Sequence, residues 1–278
     1  MNAIAPGRAA ELVRARYRQD DAPVPIASNP TLEGLLDHRS VRAFLPGALP
    51  DGLVETLVAA AQSASSSSNL QPWSVVAVTD PERKARLSHL AGDQAFIREA
   101  PLFLLWLIDF NRLSRVAEVQ ARAVEGLDYT ESFLLGAVDT SLAAQNAFVA
   151  LESLGLGAVY VGAIRNKPAQ VAVELNLPPK VFALFGMAIG RPDPARPADI
   201  KPRLPQAAVL FREQYAWRHA QAAAVERYNP AIRSFQEEQR MPVQSWTVQA
   251  VTRMRDHTAL AGRHVLKAVL RGLGFALR

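Results

Sequence analysis

The chain has 278 residues and no cysteine. That absence removes thiol nucleophiles, disulfides, iron–sulfur ligation and cysteine zinc sites together. Lysine is scarce as well: only five of the 31 basic residues are Lys, a bias of composition rather than a sign of phosphate contacts. The longest apolar runs, Pro101–Ile108 and Ala183–Ile189, fall far short of the ~20 residues that span a bilayer. Residues 8–18 are charged throughout and leave no apolar stretch for a signal peptide, so a cytoplasmic protein is expected. No Gly-x-Ser-x-Gly elbow, phosphate-binding Walker loop or His-Glu-x-x-His occurs. His38, His89, His219, His257 and His264 never sit at metal-ligand spacing, so no metal site is expected. Gly155-x-Gly157 has Tyr160 where a dinucleotide fingerprint needs its third glycine, and it ends a helix and enters a strand, the reverse of the required order.

What is present is globular. The composition is 49% hydrophobic and 21% charged, with a mean hydropathy of +0.02, richer in apolar residues than a disordered chain. The net charge is +5. All of that excess lies in residues 251–278, where Arg253, Arg255, Arg263, Lys267, Arg271 and Arg278 face only Asp256. A neutral body with a basic tail argues against a nucleic-acid partner.

The first 30 residues are expected to form an extension, a short helix followed by an Asp20–Pro25 linker. A helix is predicted from Pro30 or Thr31 with Asn29 as its N-cap, ending by the turn-rich Pro46–Asp51. Leu53–Ser63 is another helix, Ser63–Asn69 a polar loop and Trp73–Thr79 a buried strand. Asp80-Pro81-Glu82 caps a helix running to about Gly92. Leu102–Asp109 is apolar enough for a central strand buried on both faces. Leu127–Leu154 has no proline, and Phe133, Leu134, Leu135, Val138, Leu142, Ala143, Phe148 and Leu151 ring it almost completely, which makes it the core axis or an oligomer interface. Gly157–Ile164 is a strand, Pro168–Asn176 a helix, Leu184–Gly190 a strand and Arg191–Pro197 a stiff extended connector.

Three segments carry donors suited to an anionic or amide-bearing ligand. His38-Arg39-Ser40-Val41-Arg42 packs two guanidinium groups, an imidazole and a hydroxyl into five residues. In an extended segment Ser40 and Arg42 face one way and Arg39 the other. Such a set suits a phosphate, which guanidinium groups bind bidentately; it equally suits the basic last turn of a solvated helix. Ser65–Ser68 runs through Asn69-Leu70-Gln71-Pro72 into the Trp73 strand, an element end where ligands commonly sit; the alternative is a flexible serine linker. Lys201-Pro202-Arg203 is a rigid pair of cations, or an ordinary basic loop.

Together these segments resemble the nitroreductase superfamily of FMN-dependent oxidoreductases, most closely its NADPH-dependent, oxygen-insensitive nitroreductase and flavin reductase group. The similarity runs from about Leu32 to Leu204. Besides the three segments, it includes Asp109-Phe110-Asn111-Arg112, Asp139-Thr140, Gln145-Asn146-Ala147, Glu152–Gly157 and Val159-Tyr160-Val161-Gly162. The resemblance implies an α+β fold: a mixed, mainly antiparallel sheet flanked by helices, a long central helix and an extended C-terminal arm. It divides the chain into an N-terminal extension at 1–30, an FMN-binding domain at 31–204 and an arm at 205–278 packed on that domain. It implies that His38, Arg39, Ser40, Val41 and Arg42 hold the FMN phosphate and ribityl chain, with Lys201, Pro202 and Arg203 closing on the same region. Ser66, Ser67 and Ser68 would reach the flavin of a partner in a homodimer. Gln94 matches a flavin-contacting position, and Tyr160, Val161, Gly162 and Ala163 match a strand end beside the ring. Relatives usually carry a second glycine at the position of Ala163, so its methyl group would either shift the ring or narrow the substrate gap. Glu131 matches a glutamate near the flavin; without the resemblance it is a first-turn helix charge.

The implied reaction is ping-pong: hydride passes from NADPH to the flavin, and two electrons then pass to a nitroaromatic, quinone or free flavin. The flavin does the redox work, so no side chain is singled out as catalytic. Arg240 is the residue expected at the 2′-phosphate of NADPH, with Arg233, Arg253, Arg255 and Arg263 as alternatives. Some relatives break down flavin or reduce unsaturated or halogenated substrates. A competing reading of another class is a binding module whose amphipathic Val265–Leu277 segment lies on nucleic acid or an anionic membrane.

Overall fold

Leu102–Asp109 forms a strand whose first seven residues are all buried, as an apolar run without alternation requires. In the computed structural model, which describes residues 7–19, 22–23 and 27–278, this strand is β2 of a four-stranded sheet. The linker expected at Asp20–Pro25 lies outside the described residues except for Ala22 and Pro23. The other strands are β1 (Trp73–Val78), β3 (Gly157–Val161) and β4 (Val181–Gly190), and the order is β1-β2-β4-β3. Every pairing is antiparallel: β2 faces β1 from Trp73↔Ile108 to Val78↔Phe103, and β4 from Leu102↔Ile189 to Asp109↔Val181. The helices, in chain order, are α1 (Gly7–Tyr17), α2 (Pro30–Leu36), α3 (Leu53–Gln62), α4 (Pro81–Leu90), α5 (Ala95–Glu99), α6 (Asn111–Val119), α7 (Thr130–Ser153), α8 (Pro168–Glu174), α9 (His219–Glu238), α10 (Trp246–Met254) and α11 (Leu266–Gly272). The backbone clusters into two units, Met1–Arg39 with Ala198–Leu260 and Ser40–Pro197 with Ala261–Arg278.

The second unit holds the sheet. Gly136, Ala143, Ala144 and Ala147 turn α7 toward it as a row of small residues, and a Cβ at Gly136 would come within 2.7 Å of Ile108 and 3.0 Å of Phe110. Phe148 and Leu151 continue the contact into a core with Leu104, Trp106, Leu57 and Met187. By length and hydropathy α7 would match a membrane span; here its inner face covers the sheet, while Leu134, Val138 and Leu142 stay 55%, 56% and 43% exposed. The helix begins at Thr130 rather than Leu127 because Glu125–Asp128 tighten into a 3-10 turn. Asp128 is held there by Lys180 at 3.2 Å and Arg278 at 3.7 Å. Gly155, at φ +74°, ends α7 in the left-handed conformation that suits glycine.

Three other boundaries differ from expectation. β3 stops at Val161, where Gly162–Asn166 coil into a 3-10 turn and the Arg165 guanidinium donates to the Leu184 carbonyl. β4 starts at Val181, earlier than Leu184, because its first residues pair with the end of β2. The connector after Gly190 is not extended throughout: the Asp193 carboxylate accepts the Ala195 N–H at 2.9 Å and Arg196 Nε at 2.9 Å, folding it into a turn.

The competing reading of the tail loses its apolar face. Leu270 and Phe275 are buried with Ile108, Phe110 and Phe182, and Leu266, Leu273 and Leu277 pack against them. The Phe275 ring lies 5.7 Å from that of Phe110 and 5.6 Å from that of Phe133. The amphipathic pattern of Val265–Leu277 serves the fold itself.

In the first unit Asn29 caps α2 as expected, its side chain accepting the Leu32 N–H at 3.0 Å. Ser28 Oγ accepts the Ala9 N–H at 3.1 Å and donates to Glu33 at 2.5 Å, tying α1 to α2. Tyr228, Ala231, Ile232 and Phe235 of α9 form a separate core with Leu204 and Trp246.

Phe275→Ala is expected to destabilise the protein by ~3–5 kcal/mol, the scale of a buried Phe truncation. Urea denaturation measures it, and a loss below about 1 kcal/mol would remove the terminal segment from the core.

Candidate functional site

Helix α2 ends at Leu36 with Asp37 as its C-cap, so His38–Arg42 lies outside any helix and the solvated-helix-end alternative falls away. In the first unit Arg39 pairs with Asp37 at 2.8 Å, and Arg8 of α1 reaches the other oxygen of that carboxylate at 3.0 Å. The segment carrying Lys201 and Arg203 is anchored through its main chain. Tyr228 donates its hydroxyl to the Pro202 carbonyl at 2.9 Å, and burial pushes that phenol pKa up, keeping it protonated as a donor. Arg203 donates its backbone N–H to the Arg16 carbonyl at 3.0 Å. Arg16 itself donates to the carbonyls of Lys201, Leu36 and His38 at 2.8, 2.9 and 2.8 Å. His38, Arg39, Lys201 and Arg203 thus belong to one hydrogen-bonded assembly in this unit.

In the second unit Ser40 pairs with Ala158 in a parallel bridge, and the Val41 N–H donates to the Ala158 carbonyl at 2.9 Å. Gly157 makes room for this extra edge segment: a Cβ there would lie 2.6 Å from the Val41 side chain. Val41 and Ala43 are buried while Arg42 turns outward, the alternation expected of extended backbone. Arg42 opens to solvent, yet the surrounding protein withdraws enough water to lower its pKa.

The serine run is built around a buried carboxylate. Asp139, 3% exposed on α7, accepts Ser66 Oγ at 2.6 Å and the Ser67 N–H at 3.3 Å. Ser66 Oγ in turn accepts the Gln71 N–H at 2.9 Å. Ser68, Asn69 and Gln71 have φ between +49° and +53°, an unusual run for residues other than glycine. This anchorage excludes the flexible-linker alternative. The Ser66 hydroxyl is committed inside its own chain, whereas Ser67 and Ser68 are exposed.

Tyr160, Val161, Gly162 and Ala163 sit where β3 passes into its 3-10 turn. The Tyr160 ring lies 5.1 Å from both Phe148 and Phe185, and its hydroxyl donates to Gln145 at 3.3 Å. Burial and Glu152 push that phenol pKa up. Gln94 precedes α5, in a turn whose Gly92 faces the Asn166 side chain. Glu131 is exposed in the first turn of α7, and Arg240 follows α9, exposed, at φ +51°. Sequence reasoning overlooked Arg16 and Tyr228. Arg16 had a visible signal: it continues the Ala9, Leu12, Val13 stripe that α1 buries, and a charge on an apolar face demands partners.

The first unit carries the cations of His38–Arg39 and Lys201–Arg203; the second, built on an antiparallel sheet with helices, carries Arg42, the serine hydroxyls and the strand-end backbone. The chain belongs to the nitroreductase family. Residues 35–191 match the nitroreductase family model, and residues 201–278 match the model of the family's C-terminal domain. An NADPH-flavin oxidoreductase of Vibrio harveyi is 44% identical over 188 residues, covering 67% of this chain and 75% of that protein. An FMN reductase (NADPH) of Bacillus subtilis is 42% identical over 188 residues, with 67% and 75% covered. The solved structure of the hypothetical oxidoreductase YcnD from Bacillus subtilis superimposes with a TM-score of 0.85 at 33% identity, over 90% of this chain and 100% of that one.

Asp139→Ala leaves the Ser66 hydroxyl and Ser67 N–H without their charged acceptor, and is expected to cost ~2–4 kcal/mol. Hydrogen exchange at the Ser67 and Gln71 amides should rise with it; unchanged exchange would remove Asp139 as the anchor of this loop.

Proposed function

We propose that the protein is an FMN-dependent oxidoreductase that takes electrons from NADPH and delivers them to a nitroaromatic, a quinone or free flavin, acting as a cytoplasmic homodimer. The observation that carries this reading is the 44% identity to an NADPH-flavin oxidoreductase over 188 residues.

The chemistry of the donor set supports this reading. A phosphate calls for fixed guanidinium and ammonium groups, supplied by Arg39, Arg42, Lys201 and Arg203, with His38 and Ser40 as further donors. Arg42 is exposed and so can be reached by an anion from solvent. Ser67, Ser68 and Gln94 offer donors for the polar edges of the ring, and Tyr160–Ala163 supply backbone beside it, with the Ala163 methyl group restricting the gap. Ser66 shapes its loop through Asp139. Glu131 stands near the ring as a charge, not as an assigned proton donor. Bound FMN supplies the redox chemistry, accepting hydride and passing on two electrons.

In this reading the FMN-binding domain spans 31–204, after an extension at 1–30 and before an arm at 205–278, so both phosphate-binding segments lie near the domain's ends in sequence. Dimerisation is supported by Leu134, Val138 and Leu142, an apolar stripe at four-residue spacing left uncovered on α7. Arg240 is assigned to the 2′-phosphate of NADPH.

Arg42→Ala is expected to weaken FMN retention by ~1.5–3 kcal/mol; a colourless native protein that takes up no added FMN would end the reading. Val138→Asp should convert the dimer to monomer in sedimentation, and a native chain that is monomeric at micromolar concentration with FMN bound would refute the dimer. The native kcat/KM should favour NADPH over NADH, and Arg240→Ala should reduce that ratio at least about tenfold. Equal use of both nucleotides overturns the preference; an unchanged ratio in the variant overturns the residue alone.

A further inference from the structure

We infer that Arg16 is a positioning residue for the phosphate-binding cations, which makes helix α1 of the N-terminal extension a working part of the cofactor site. The inference rests on the FMN reading above, and its test separates the two.

Arg16 is 8% exposed. A guanidinium withdrawn from water must satisfy its donors, and here they go to main-chain oxygens: Nη1 to Lys201 at 2.8 Å, Nη2 to Leu36 at 2.9 Å and to His38 at 2.8 Å. These oxygens belong to two segments far apart in sequence, one bearing His38 and Arg39, the other Lys201 and Arg203. Arg16 therefore grips both segments by main-chain oxygens and not by the side chains that carry their charge. The return bond, from the Arg203 N–H to the Arg16 carbonyl at 3.0 Å, fixes the second segment from the other side of the same residue. One turn pair earlier on α1, Arg8 engages the Asp37 carboxylate that pairs with Arg39. Bringing several cations together costs repulsion, and a brace that supplies the geometry before the anion arrives lowers the cost of binding it. Arginine suits this task because its planar fork directs several donors at once; lysine offers one compact ammonium.

A general loss of fold would weaken every flavin. A loss of clamp geometry weakens only the phosphorylated one. The full-length chain, freed of flavin, is titrated by fluorescence with FMN and with riboflavin, which lacks the phosphate. Arg16→Met is expected to weaken FMN at least about tenfold while riboflavin changes less than about twofold, with Arg16→Lys between the two. Equal losses for both flavins, or no loss for FMN, overturn the inference. Where Arg16→Met does not fold, Arg16→Lys decides by the same comparison. Arg203→Ala tests the underlying reading: if it leaves the preference for FMN over riboflavin unchanged, the phosphate clamp itself fails and Arg16 falls with it. If Arg203→Ala lowers that preference and the Arg16 variants do not, only the role of Arg16 fails.

Discussion

A strand with no polar side has to be covered twice, and Leu102–Ile108 is such a strand, each residue at most 3% exposed. At ~25 cal/mol per Å² of apolar surface, burying Phe103, Trp106 and their leucine and isoleucine neighbours is a concentrated source of stability in the second unit. The demand sets the neighbours. β1 and β4 pair along both edges of β2, and α7 lies on the sheet through its glycine and alanine row. Small residues on α7 bring helix and sheet together; large ones would hold them apart and open a void that interiors do not tolerate.

The four strands carry no cation, and the chain puts its Lys and Arg on the segments beyond them. Such segments have little hydrophobic surface to hold them still. They are fixed by a few buried or half-buried polar groups bonded to backbone or hydroxyl: Asp139 under the serine loop, Tyr228 under Pro202, Arg165 joining the turn after β3 to β4, Arg16 behind His38 and Lys201. Each such bond contributes only ~1–3 kcal/mol, yet leaving one donor or acceptor unpaired costs as much again. A sparse set of anchors therefore fixes conformations that packing alone would not. The positive φ angles at Ser68, Asn69 and Gln71 mark where such an anchor holds backbone that would otherwise relax.

Elements with a dense apolar code were legible in advance. Leu102–Asp109 was read to the residue, the strand at Trp73 to within one, and the caps at Asn29 and Asp80 by side chain, because burial and capping are local decisions. Errors arose where long-range partners decide. The start of α7 is set by Asp128 pairing with Lys180 and Arg278, far off in sequence, and the competing membrane-surface reading of the tail stands only until Phe110 and Phe182 are seen beneath its apolar face. The cationic segments were recognised as a set by resemblance, since each alone is an ordinary basic loop. Their anchors were missed because a buried arginine reads as a surface one unless its helical stripe is traced.

Helix α7 shows how one sequence pattern serves two ends. Its apolar residues circle the axis, but the sheet can take only one side. Asp139 and Thr140 sit on that covered side without breaking it, because Asp139 is satisfied by the serine loop and Thr140 by the Gly136 carbonyl at 2.6 Å. The opposite side keeps Leu134, Val138 and Leu142 in water, a standing cost that a lone globular chain would remove by placing polar residues there. The serine loop is tethered through Asp139 to the middle of this same helix, with Ser67 and Ser68 exposed. In the dimer proposed here, folding, association and the supply of hydroxyl donors to a bound flavin are then carried by successive faces of one helix.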